Sequence, residues 1–181
     1  EDLEQYREKA MQAFRTEPNG GAASDYRIWA ADAQGVAQVY AYAKSGFSGE
    51  INLYIEATLV DSTDGMGTPS AAIINAVEDV VEFDPDTTKP LNERGRRPLG
   101  VFQINFLPVV IKEVTISIAG YVGLTTEISD LIKATLVEVI SEIRPFVAGA
   151  DILADKNDTL DTNKIIAAII AAKPGSVFGA I

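Results

Sequence analysis

The chain of 181 residues contains no cysteine and no histidine. Without thiols it can form no disulfide and no thiolate nucleophile, and without imidazole the Cys/His zinc sites and the Ser-His-Asp triad also fall away. An enzyme built from this sequence would depend on carboxylate, lysine, tyrosine or serine chemistry, or on a hard cation held by oxygen ligands. Basic side chains are scarce, with 15 Lys and Arg against 26 Asp and Glu, a formal net charge of −11 and a pI near 4.4. Such a chain repels phosphate backbones at long range, so no nucleic-acid partner is expected. No apolar run approaches the roughly 18 residues needed to span a bilayer, so no direct membrane insertion is expected. The opening Glu1-Asp2-Leu3-Glu4 lacks the basic and then apolar pattern of an export signal. It does not begin with Met, and it stops at Ile181 in what reads as a strand. The sequence is therefore expected to be a piece of a longer protein.

What is present is an ordinary globular composition, 47% hydrophobic and 23% charged, at a length that fits one large domain or two small ones. Leu3, Tyr6, Ala10, Ala13 and Phe14 recur at helical spacing and predict an N-terminal amphipathic helix. After the turn Pro18-Asn19-Gly20-Gly21, Ser24 offers an N-cap, with Asp25 in the first turn, for a short helix carrying Tyr26 and Trp29 and closed by Gly35. Residues 36–43 read as a strand. A second strand alternates Ile51, Leu53, Ile55, Ala57 and Leu59 with more polar residues. Thr68 as cap and Pro69 as first helical residue predict a helix whose stripe is Ile73, Ala76, Val77, Val80 and Val81, stopped by Asp84-Pro85.

A polar connection over 86–98 leads to a strand bearing Phe102, Ile104 and Phe106, and beyond Pro108 to another bearing Val114, Ile116 and Ile118. A long helix is predicted over 126–147. A short strand at Ile152-Leu153, a helix capped by Asp161 or Thr162 and stopped by Pro174-Gly175, and a last strand from Val177-Phe178 complete the order. This predicts an α+β protein with two small α/β layer subdomains, each a mixed sheet covered by helices, preceded by an N-terminal helix. The boundary is placed at Pro108, giving subdomains over 1–107 and 108–181.

No bare chemical motif stands up. Residues 155–161 begin like a calcium loop, but Leu160 stands where the turn needs Gly and Ile166 where it needs a bidentate Glu, so a solvated loop is expected. Asp61 to Gly67 reads as a strand-to-helix connection, because Gly65-Met66-Gly67 lacks the third glycine of a dinucleotide fingerprint. The pair Asp84 and Asp86 would suit acid and base work only if their pKa values split, and in a polar loop they are expected to be hydrated and unperturbed. Arg94, Arg96 and Arg97 suit a partner contact or plain solvation better than a phosphate site. Tyr26 and Trp29 are expected to anchor the core. No catalytic residue, metal site or cofactor is expected.

As one string, Tyr6-Arg7, Pro18-Asn19-Gly20-Gly21, Asp25-Tyr26-Arg27-Ile28-Trp29-Ala30 and Gly35-Val36 resemble the central signature of phage baseplate J-like proteins. The likeness continues through Gly49 to Ile55, Pro69-Ser70-Ala71-Ala72, Arg97-Pro98-Leu99-Gly100 and Lys173-Pro174-Gly175-Ser176-Val177, so it covers nearly the whole chain. The sequence departs from the family pattern in a longer 86–93 segment and in Ser176, and it lacks the family's amino-terminal portion. The resemblance implies a non-enzymatic component of a contractile-tail baseplate wedge or a tail-derived injection particle. Such a component would sit in the virion tail, assemble in the bacterial host cytoplasm, and bind other wedge and hub proteins and copies of itself in a ring. Gly20, Gly21, Tyr26, Trp29 and Gly35 would then be structural, and the candidates for partner contact are Asp61 and Asp64 in one loop and Arg94, Arg96 and Arg97 in another. The alternatives are a carboxylate-dependent hydrolase or carbohydrate-binding tail component, and an unrelated α/β binding module.

Overall fold

The computed structural model describes residues 7, 20–118 and 124–172. In chain order the described elements are α1 (Ala23–Ala30), β1 (Val36–Ala43), β2 (Glu50–Ala57), α2 (Ala71–Glu82), β3 (Gln103–Pro108), α3 (Thr126–Ser141) and α4 (Thr162–Ala172), with single 3-10 turns at Leu91–Glu93 and Leu153–Asp155. The expected α+β class is found. The chain divides into two compact units, one of Glu1–Lys112 with Val147–Ile152, the other of Glu113–Phe146 with Leu153–Ile181. The expected N-terminal helix, apart from Arg7, and the expected last strand lie outside the described residues.

The first unit is a three-stranded mixed sheet in the order β1-β2-β3. β1 and β2 form an antiparallel hairpin in which Val39 faces Ile55 and Ala41 faces Leu53, while Tyr40 faces Tyr54 on the opposite surface. β3 joins β2 in parallel, Ile51 beside Ile104 and Leu53 beside Phe106. A parallel neighbour requires a crossover, and α2 with the long 83–102 connection supplies it. Because strand side chains alternate and helix side chains recur every three or four residues, the sheet face carrying Val39, Leu53, Ile55 and Ile104 meets the stripe Ile73, Val77 and Val81 of α2 and Tyr26 and Ala30 of α1.

Two helix starts differ from expectation. α1 begins two residues earlier, with Ala22 at the N-cap. The cap works in reverse, the Asp25 carboxylate reaching back to accept from Gly21 N (2.5 Å) and Ala22 N (3.0 Å). Ser24 is buried instead, and its hydroxyl has no hydrogen-bond partner. α2 is capped by Ser70, which accepts from Ile73 N (3.3 Å). Thr68 is unavailable as a cap because its hydroxyl and amide are bound by Asp64.

In the second unit α3 and α4 pack through Ile132, Leu136, Ala168 and Ile169, with Ile116 and Ile118 against them. α4 has the expected cap, Asp161 Oδ1 accepting from Lys164 N at 2.9 Å. α3 stops at Ser141, short of the expected 147. Pro145 has no N–H to give the Ser141 carbonyl and its ring would clash there, and the Arg144 guanidinium takes that carbonyl instead. Among the described residues, 111–118 make no strand ladder, and the expected strand at Ile152-Leu153 is replaced by the 3-10 turn at Leu153–Asp155. Short apolar runs are ambiguous because a strand exists only when an edge is there to receive it.

Candidate assembly surface

The motifs that are far apart in sequence converge at one end of the first sheet. Gly21 has φ +113°, and a Cβ there would lie 2.5 Å from Cγ of Pro98. Only glycine permits both that backbone and that approach. Gly49 has φ +79°, and a Cβ would lie 2.6 Å from the Gly100 carbonyl and 2.8 Å from the Phe102 ring. Its own carbonyl accepts from Phe102 N at 3.0 Å. The Gly-Gly bend, the lead-in to β2 and the Arg97-Pro98-Leu99-Gly100 lead-in to β3 are thus locked into one rim. Gly20, at φ +73° with open space around it, and Gly35, at φ +83°, serve as bends.

Tyr26 and Trp29 anchor the layer beneath this rim, their rings edge to face with centroids 5.3 Å apart. Tyr26 is 1% exposed and its hydroxyl is without a partner. Burial, reinforced by Asp25 and Glu82, pushes the phenol up to about 12. Arg27, in the same signature, is buried as well. Its Nε donates to the Val39 carbonyl at 3.0 Å, and its guanidinium grips both carboxylate oxygens of Asp151. Asp151 also accepts from Val147 N at 2.6 Å, so one partly buried ion pair fastens the returning 147–152 segment to the edge of β1.

The arginines proposed for partner contact are largely occupied within the chain. Arg97 forms a two-pronged pair with Glu82 and donates to the Phe102 carbonyl at 2.8 Å. Arg96 donates to Val80 O at 2.8 Å and Asp32 Oδ2 at 2.9 Å, approaches Asp84 at 3.3 Å, and lies over the Trp29 ring. Arg94 Nε is buried without a hydrogen-bond partner, while the backbone on both sides of Gly95 pairs with the end of α2. These contacts staple the 86–97 connection down. At the other end of the sheet Asp61 accepts from the Thr58 hydroxyl at 2.6 Å. Asp64 is held below the usual carboxylate range by the Thr68 hydroxyl and then by the Met66 amide. Both order a loop that leaves Leu59, Val60 and Met66 exposed.

The structure brings no catalytic group into play at these positions. Asp84 and Asp86 are not unperturbed, as hydration alone would leave them. The Lys89 ammonium and the Asp86 amide hold Asp84 down to about 2, and Thr88 lowers Asp86. Both shifts go the same way, so the pair offers two carboxylates at neutral pH and no proton donor. In the 155–161 loop the Lys164 ammonium occupies the oxygens a cation would need, donating to Asn157 Oδ1 at 2.7 Å and Thr159 O at 2.5 Å. Among the described residues no group of three acidic side chains is arranged to hold a metal, and no helix is long and apolar enough to cross a membrane.

Residues 18–104, which span α1, β1, β2, α2 and the opening of β3, match the family model of the Baseplate J-like central domain. That stretch, just under half of the chain, is similar to the Baseplate J-like central domain. The match supports a structural role in a phage tail baseplate. The match accounts for the rim, because Gly20, Gly21, Gly49 and Arg97 to Gly100 all lie within it. Residues from 105 onward, including the late Lys173 to Val177 likeness, lie outside it. Comparison of the chain with curated proteins gives no match. The sequence alone singled out the glycines but missed Arg27, whose role depends on Asp151, a residue 124 positions away.

Proposed function

We propose that this chain is a wedge component of a contractile-tail baseplate or a tail-derived injection particle, assembled in the bacterial host cytoplasm and working by protein-protein contact without turnover. The observation that carries this reading is the match of residues 18–104 to the Baseplate J-like central domain. Its partners on this reading are other wedge and hub proteins and further copies of itself. The contact regions are the Asp61–Asp64 loop, where Leu59, Val60 and Met66 stand exposed, and the 86–97 connection, where Leu91 does. In the second region Arg96 and Arg97 shape the loop from within, and Arg94 supports it beside the pairing of Phe83 with Gly95. An acidic surface suits basic neighbours and discourages adhesion to DNA.

The experiment is purification of tail particles from the host strain, with immunogold electron microscopy against this chain. Label at the baseplate, and headless or sheathless tails when the gene is deleted, are the expected results. Label confined to soluble fractions, with normal tails in the deletion, rejects the reading. Val60→Asp tests the loop assignment, and it should release the chain from its neighbours in a pull-down while leaving its circular dichroism unchanged.

A further inference from the structure

The 83–102 connection holds no strand or α-helix of its own, yet contacts within the chain keep it in place. Connections this long without regular structure are uncommon, and ordered ones usually carry function. Lys89 and Arg96 both reach Asp84, at 2.7 and 3.3 Å. Arg97 grips Glu82, and Phe83 bridges Gly95. Each of these three cations is neutralised by a carboxylate of its own chain. Arg94, which lies among them, is not. Among the described residues its guanidinium makes no hydrogen bond and no ion pair, and its Nε is buried without an acceptor. The side chain as a whole is half-buried. A cation partly withdrawn from water, with no acceptor for its N–H groups, carries a desolvation cost that the free chain does not recover.

The tip of the connection sets an apolar side chain beside that cation. Leu91–Glu93 is a single 3-10 turn, closed by Glu93 N on Pro90 O at 2.9 Å and by Arg94 N on Leu91 O at 3.3 Å. Side chains three apart eclipse in this geometry, so Leu91 and Arg94 stand on one face of the turn. Leu91 is 68% exposed. Arginine is enriched at the energetic centres of interfaces, and an apolar neighbour that excludes water strengthens any ion pair formed there. Because the loop is stapled down and the Arg94 stem is already shielded, little conformational freedom is lost when a partner binds. The planar fork matches a carboxylate in two-pronged fashion. One guanidinium balances one carboxylate, whereas a phosphate dianion would face the adjacent Glu93 with a negative charge left over.

We propose that Arg94, with Leu91 beside it, receives a carboxylate from a neighbouring protein of the assembly, an Asp or Glu flanked by an apolar side chain. The proposal rests on the reading that the chain is a baseplate component, and it narrows the arginine cluster to the member without a partner among the described residues. The test uses tail particles from the deletion strain supplied with the gene in trans. Arg94→Glu should lower the yield of labelled tails about tenfold or more, and Arg94→Lys should lower it less. Carbodiimide joins a lysine amine to a carboxylate in contact with it. Treated Arg94→Lys particles should therefore yield a peptide linking position 94 to an Asp or Glu of a neighbouring baseplate protein, and unaltered particles should not. In the isolated chain Arg94→Gln should leave the Trp29 urea midpoint within about 0.3 M, because the side chain holds nothing in place. Arg97→Gln, which breaks the Glu82 pair, should lower it. A normal yield of labelled tails with Arg94→Glu, or a cross-link absent or confined to the chain itself, overturns the proposal. So does an Arg94 Nε resonance moved by millimolar inorganic phosphate, which would make this an anion site, or an Arg94→Gln midpoint lowered as far as that of Arg97→Gln. Should Arg94→Glu not fold, the cross-link decides alone. Normal tails with Arg94→Glu reject the contact and leave the baseplate role, whereas absence of the unaltered chain from the particles rejects both.

Discussion

Gly21→Ala is the sharpest test of the rim. Forcing an L-residue to φ +113° costs about 1–2 kcal/mol in backbone strain. The new methyl would sit 2.5 Å from Pro98 Cγ, about 1 Å inside a normal carbon contact. Relieving that overlap costs about 1–3 kcal/mol more. The sum, about 2–5 kcal/mol, is a large part of the roughly 5–15 kcal/mol that holds a typical domain together. Gly20→Ala is the internal control, because it has φ +73° and nothing within 4 Å and should cost only the backbone share. The single tryptophan, Trp29, packs on Tyr26 in the same unit and reports its unfolding in urea. With a slope of about 2 kcal/mol per molar urea, Gly21→Ala should lower the midpoint by about 1–2.5 M and Gly20→Ala by about 0.5–1 M. The decisive measurement is the double-mutant cycle with Pro98→Gly, which removes both Cγ and the Cβ that would lie 2.8 Å from the new methyl, so that the excess cost of Gly21→Ala should largely vanish. Equal midpoints for the two alanine variants, or an excess unchanged in the Pro98→Gly background, would refute the close-packing account.

Asp151→Ala strands the buried Arg27 charge and should destabilise the first unit by about 3–5 kcal/mol in the same urea assay. Tyr26→Phe removes a buried hydroxyl with no partner and should be neutral or stabilising by up to about 1 kcal/mol, contrary to the usual cost of deleting a buried polar group. The Tyr26 phenol rises from 10.0 to about 12 in the fold. Its contribution is therefore full below pH 10 and is lost as pH climbs through about 12, and ultraviolet titration should show a late phenol that disappears in Tyr26→Phe. Asp84 falls from 3.8 to about 2, so its contribution is present above the ordinary value and is lost as pH drops toward about 2. Lys89→Gln should move its carboxyl resonance midpoint upward in an NMR titration.

Much of the first unit was legible in the sequence. Alternation placed β1 over the residues where it is found, and helical spacing placed the Ile73, Val77 and Val81 stripe, because these periods follow from local backbone geometry. Gly20, Gly21 and Gly35 were legible as bends for the same reason. The caps were misplaced where a competing partner intervened, as when Asp64 claimed Thr68 and Asp25 did the work assigned to Ser24. The arginine cluster looked like a free surface because a sequence cannot show that Glu82, Asp32 and the Phe102 carbonyl stand within reach.

The sequence by itself determined that no thiol or imidazole chemistry is available, that the chain is acidic, and which residues lie on which face of each element. Tertiary structure alone decided which of those faces meet. It set Pro98 against Gly21 and Phe102 against Gly49, paired Arg27 with Asp151 across 124 positions, and brought β3 alongside β2 in parallel. Local preferences act over a few bonds and are written in neighbouring residues, whereas these contacts are chosen by the burial of one shared core, to which distant segments contribute at once.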